Sequence, residues 1–160
     1  MRDRSKLDVM VAGIGRKRAL LDDVVGVADR LTVGVAYPRL FSDLLRLHAF
    51  AAFDVGGVRV HGNVRGGQDS LEALLQDAFL TRTLCDAGFA PFGRPDTGSY
   101  DRVCFDMRKA VPSGDAPVVR MDHEAILSFG RLLEPAVLAG GIVHLFEMDA
   151  LGGEARVRED

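Results

Sequence analysis

The sequence predicts a single α+β domain: an antiparallel sheet of about four to six strands flanked by helices. Three observations carry this. At 160 residues the chain suits one domain that buries a core of its own. Apolar residues recur at helical spacing around residues 16–47 and alternate with polar ones around residues 102–108. No repeat, linker or low-complexity stretch divides these segments.

Residues 1–15 mix charge with glycine and read as a loosely attached segment ahead of a domain spanning 16–150. Over 16–30, Leu20, Leu21, Val24, Val25, Val27 and Ala28 form the apolar stripe of an amphipathic helix. Tyr37-Pro38 opens a second helix, since proline is tolerated in a first turn, and Leu40, Phe41, Leu44, Leu45 and Leu47 give it an apolar face. Phe50–Phe53 and Val58–His61 are predicted strands, joined by an Asp54-Val55-Gly56-Gly57 turn. Residues 62–67 form a loop. Asp69-Ser70 then caps a helix over Leu71–Ala87, ended by Gly88.

Phe89-Ala90-Pro91-Phe92 is apolar, and the turn residues Pro95, Asp96, Thr97, Gly98 and Ser99 follow. From Arg102 the chain alternates: Val103, Phe105 and Met107 share one face, and Arg102, Cys104, Asp106 and Arg108 the other. This predicts a half-buried antiparallel strand. After the break at Pro112–Asp115, Pro117–Asp122 is its hairpin partner, whose far end delivers Asp122-His123-Glu124. Helices are expected over Ile126–Leu133 and Pro135–Phe146, with Gly140-Gly141 a weak point costing about 1 kcal/mol per glycine relative to alanine. Residues 151–160 read as a disordered tail.

The net charge of −3 disfavours nucleic acid bound through its phosphates, which needs a concentrated basic face. Charge is polarised, basic over 2–18 and acidic over 121–149. No apolar run approaches the roughly 20 residues that span a bilayer, and Val9–Ala12 lies among charges, so neither an anchor nor a signal peptide is expected. Cys85 and Cys104 sit in apolar company without metal-ligand spacing, as buried free thiols of a reducing cytoplasm would.

Gly13-Ile14-Gly15 resembles the start of a dinucleotide loop, but Arg18 stands where a third glycine belongs and no parallel second strand follows. Asp122-His123-Glu124 has the residue types of a metal or acid–base site. On a strand, however, His123 would point away from Asp122 and Glu124, so the alternative is that an acidic residue caps the next helix near Ala125. Ser99, His123 and Asp106 formally supply a nucleophilic triad, without the strained elbow such a serine needs. No catalytic residue, metal or cofactor is therefore assigned.

Gly98, Tyr100, Asp101, Val103, Cys104, Phe105 and Asp106, followed by Val118-Val119-Arg120-Met121-Asp122-His123-Glu124, resemble the central motif of the SUKH superfamily (Smi/Knr-type domains). Tyr37-Pro38 with Leu40, Phe41, Leu44 and Leu45 resembles its early helix. Leu138–Phe146 takes the place of its closing helix, departing from the pattern at Gly140-Gly141. The resemblance covers most of residues 30–148. It implies an immunity protein that binds and neutralises a bacterial toxin, often a nuclease, by stoichiometric contact without turnover; a related fungal member regulates cell-wall synthesis. The alternatives are a regulatory or scaffold domain with a housekeeping protein partner and, further off, a metal-dependent hydrolase. The expected partner surface is the concave sheet face with the adjoining loop ends, comprising Asp96, Tyr100, Asp101, Asp122, His123 and Glu124.

Overall fold

Six strands pair in chain order in one antiparallel sheet. The structure is a computed structural model, and it describes residues 35–48, 50, 52–63 and 69–148. Helix α1 (Arg39–Leu47) leads into β1 (Phe53–Val55) and β2 (Val58–Val60). Helices α2 (Leu71–Leu75) and α3 (Ala78–Asp86) precede β3 (Phe89–Pro95), β4 (Arg102–Asp106) and a 3-10 turn at Met107–Lys109. Then come β5 (Val118–Met121), α4 (His123–Phe129), β6 (Ala136–Ala139) and a helical segment, α5, over residues 142–148. The fold is α+β, as expected. The expected helix over 16–30 and the expected loose ends at 1–15 and 151–160 lie outside the described residues.

Alternation along β4 correctly sorts its side chains, but every residue of the strand is buried. Val103 and Phe105 face Leu40, Phe41, Leu44 and Leu45 of α1 and Ile142, Leu145 and Phe146 of α5. Cys104, with Val119 and Met121 of β5, faces Leu80 and Leu84 of α3 and Ile126 of α4. Helices therefore cover both faces at the centre of the sheet, so the strand is not half-buried and no concave face is left open there. Aromatic packing fixes the larger core: the Phe92 and Phe105 rings stack at 4.1 Å, and the Phe41 ring lies 5.3 Å from each. The buried Tyr37 hydroxyl donates to the Pro91 carbonyl at 2.7 Å, so its polar end is satisfied.

The β1–β2 turn is tighter than expected: Asp54 and Val55 belong to β1, and only Gly56-Gly57 turns, with φ of 58° and 81°. Phe50 lies outside β1, its N–H held by the Asn63 side chain at 3.1 Å. The predicted helix over 71–87 is two helices. Ser70 Oγ accepts from Ala73 N at 3.1 Å to start α2, and Asp77 Oδ1 accepts from Leu80 N at 3.2 Å to start α3. An aspartate inside an apolar helical pattern competes for backbone N–H groups, and here it restarts the helix. Gly88 closes α3 at φ 95°, as expected.

Helix α4 starts at His123, three residues earlier than the sequence suggests, and stops at Gly130 (φ 63°) instead of running to Leu133. The largest correction concerns Pro135–Phe146. Ala136–Ala139 is a strand pairing with β5 through Val119↔Val137, Gly140-Gly141 is a bend, and the helix begins at 142. A short apolar run of this kind fits either period, and pairing along β5 decides it.

Candidate functional site

The register gathers the predicted site at one end of the sheet. Gly93 opposes Val103, Arg102 opposes Met121, and Arg120 opposes Ala136. The β3–β4 turn, the end of β5, the start of α4 and the start of β6 therefore adjoin.

Asp101 is the hub. Its carboxylate accepts from Arg120 Nε at 2.7 Å, from His123 N at 3.0 Å and from His123 Nδ1 at 2.5 Å. Burial acts to raise its pKa, but the two His123 hydrogen bonds and the Arg120 bond and charge outweigh it and hold the carboxyl below the usual aspartate value. Asp122 caps α4, its Oδ1 accepting from Ala125 N at 3.0 Å, which matches the capping alternative. Tyr100 is 65% exposed, and its ring lies 5.9 Å from the His123 ring. Asp101 N donates to Ser99 Oγ at 3.0 Å, which stiffens the approach to the strand.

Tyr100, Asp101, Asp122 and His123 thus come together. Glu124 is exposed in the first turn of α4, and Asp96 is half-buried on the β3–β4 turn, its N–H bound to the Gly57 carbonyl at 3.0 Å. Strand alternation does not separate His123 from Asp122 as expected, because the backbone turns helical at His123. One ligand atom each from Asp101, Asp122 and His123 lies within 4.8 Å of the others. The Asp101 oxygens already accept from Arg120 and His123, an arrangement that suits an internal clamp. The formal triad does not assemble: Asp106 opposes Phe89 at the other end of β4, where Arg108 Nε binds it at 2.9 Å.

Beside this end, Tyr100 also lines an open cleft of about 350 Å³ between α2 and the sheet, whose polar walls are His61, Asp69, Arg94 and Arg102. Arg94 Nη2 donates to Asp69 at 2.8 Å and its Nε to His61 Nε2 at 3.3 Å, while His61 Nδ1–H donates to the Ser70 carbonyl at 3.2 Å. Burial lowers the His61 pKa to about 4, so the ring is neutral near pH 7. Arg102 is 6% exposed and donates from Nη1 to the Tyr100 carbonyl at 2.6 Å. Burial, reinforced by Arg94, lowers its pKa against the opposing pull of Asp77. The sequence reading missed this cleft by placing Arg102 on a solvent face. The available signal was an arginine on each side of one turn, Arg94 and Arg102.

Exposed apolar residues run from the second half of α4 into β6: Leu127, Phe129, Leu132, Leu133 and Val137, of which Phe129 is 73% exposed. No helix among the described residues is long and apolar enough to cross a membrane. Comparison with protein-family models, characterised proteins and solved structures gives no match. The SUKH likeness therefore rests on the motif residues alone.

Proposed function

We propose that this chain is a stoichiometric protein-binding domain of the immunity type, which neutralises a toxin, often a nuclease, by covering it. The observation that carries the reading is the exposed Tyr100 ring on the stiff β3–β4 turn, beside the Asp101–His123 clamp. An exposed aromatic on a pre-organised loop loses little entropy when buried by a partner, which is why such residues anchor interfaces. Exposed Asp122 and Glu124 stand nearby, and Glu134 precedes β6 at the same end. That acidic character suits a basic partner such as a nuclease site and would steer its approach. The apolar run from Phe129 to Val137 adjoins the start of β6 and extends the surface available for burial.

Affinity purification of the tagged chain from its own cells, with mass spectrometry of any stoichiometric band, tests this reading. A toxin-like polypeptide is expected, and Tyr100→Ala should weaken its binding by roughly tenfold or more while the domain stays folded. Asp101 is a poor choice of variant because it holds the clamp. A housekeeping protein in that band would favour the regulatory reading instead. The closeness of Asp101, Asp122 and His123 supports the hydrolase alternative, for which zinc or manganese should raise the melting temperature in a way that Asp122→Ala removes.

A further inference from the structure

The cleft beside α2 carries a second inference, which shares Tyr100 with the protein-binding surface but rests on Arg94 and Arg102. We propose that it binds a small molecule through an oxyanion, a phosphate or carboxylate group, held between the guanidinium groups of Arg94 and Arg102.

Arg102 makes the argument. Its guanidinium is in the cleft wall, its residue is 6% exposed, and among the described residues its one hydrogen bond goes to the Tyr100 carbonyl. A guanidinium has five N–H donors, and none of these meets a carboxylate of the described residues. Burying an arginine without a carboxylate bonded to it is costly. The other polar groups facing the cleft do not supply the missing charge. Asp69 is engaged by Arg94 at 2.8 Å and by Arg59 at 3.5 Å, and neutral His61 accepts from Arg94. Asp77 acts on Arg102 only through space. Arg102 therefore faces the recessed wall with N–H groups that no carboxylate of the described residues bonds, and these are open to a ligand.

The geometry suits an oxyanion. His61 and Asp69 hold the Nε–Nη2 edge of the Arg94 guanidinium, which fixes its orientation and leaves its Nη1 donors uncommitted among the described residues, and guanidinium donors match the oxygens of carboxylates and phosphates. At about 350 Å³ the cleft is near the lower end of small-molecule sites, roughly 300 to 1,000 Å³. Tyr100 forms its rim, with the Arg94 guanidinium 5.9 Å from the ring centroid.

The test titrates the full chain with inorganic phosphate, pyrophosphate and citrate at constant ionic strength, reading melting temperature and the NMR signals of the arginine Nε–H groups. A saturable response of the Arg94 and Arg102 signals to at least one anion is expected. Binding should weaken at least tenfold in Arg102→Gln and in Arg102→Lys, which keeps the charge but loses the fork, and should be unchanged in the distant Arg131→Gln. A response to phosphate and pyrophosphate alone identifies a phosphate ligand, and one to citrate alone a carboxylate. Absence of a saturable response to all three, or equal binding by wild type and whichever Arg102 variants fold, would overturn the proposal.

Discussion

Asp101 holds His123 twice, through the backbone N–H at 3.0 Å and through Nδ1 at 2.5 Å, and so ties the start of β4 to the first turn of α4. Arg120 completes the clamp from β5 at 2.7 Å. Asp101→Ala should lower stability by roughly 2–3 kcal/mol, the range for losing hydrogen bonds to a mostly buried charged group. Urea unfolding with an unchanged m-value is the measurement. The sign with pH follows from the lowered carboxyl pKa: the contribution is full above the unfolded value of 3.8 and is lost as pH falls through the lower folded value. The variant should therefore lose less stability than wild type on acidification below about pH 4.

His61 titrates in a separate window. Its pKa falls from 6.5 to about 4 on folding, because burial disfavours the cation and Arg94 and Arg102 add repulsion, against the Ser70 carbonyl and Asp69. Between those values the unfolded chain takes up the proton first, so stability should decline as pH falls, by up to roughly 3–4 kcal/mol. Protonation also places an N–H on Nε2 facing the Arg94 Nε–H, which breaks that hydrogen bond. His61→Asn should flatten the stability profile between pH 6.5 and 4. An equal slope in both proteins would assign the titration to another group.

The break between α2 and α3 predicts a modest and local effect. Asp77→Ala removes the α3 cap and should cost about 1 kcal/mol, as should Ser70→Ala for α2. Asp77→Asn keeps a capping oxygen and should cost less. Equilibrium unfolding of the three variants checks the order.

Local chemistry made much of this fold legible in the sequence. The alternation from Arg102, the capping residues at Ser70 and Asp122, and Gly88 as a helix stop each act within a few residues, and each lies where the pattern placed it. The misreadings depend on partners distant in sequence. Whether β4 is covered on one face or two depends on α3 and α4 as well as α1. Whether Ala136–Ala139 is strand or helix depends on β5. The candidate site follows the same division. Proximity of Asp101 to Asp122-His123 follows from the hairpin, whereas the arginines flanking the turn, Arg94 and Arg102, become a cleft only when α2 docks against the sheet.

Asp115 shows how one of those distant partners acts. Its carboxylate accepts from its neighbour Ala116 N at 2.8 Å and, across the fold, from Ile142 N at 2.9 Å, with Val143 N at 3.5 Å from the second oxygen. It thereby caps α5 from a loop ahead of β5, and a negative charge at a helix start is favourable. The carboxylate lies so close to Gly141 that a Cβ there would collide with it. Gly141 is therefore required for this approach, whereas a side chain at Gly140 would meet only His144 Nδ1, at 4.0 Å. Gly141→Ala should destabilise by roughly 1–3 kcal/mol by displacing the cap, and Asp115→Ala by a similar amount, while Gly140→Ala should be nearly neutral. Because Gly141→Ala acts by displacing Asp115, the double variant should cost much less than the sum of the two. Additive losses in a double-mutant cycle would show that Gly141 acts through backbone freedom instead of through room for the carboxylate.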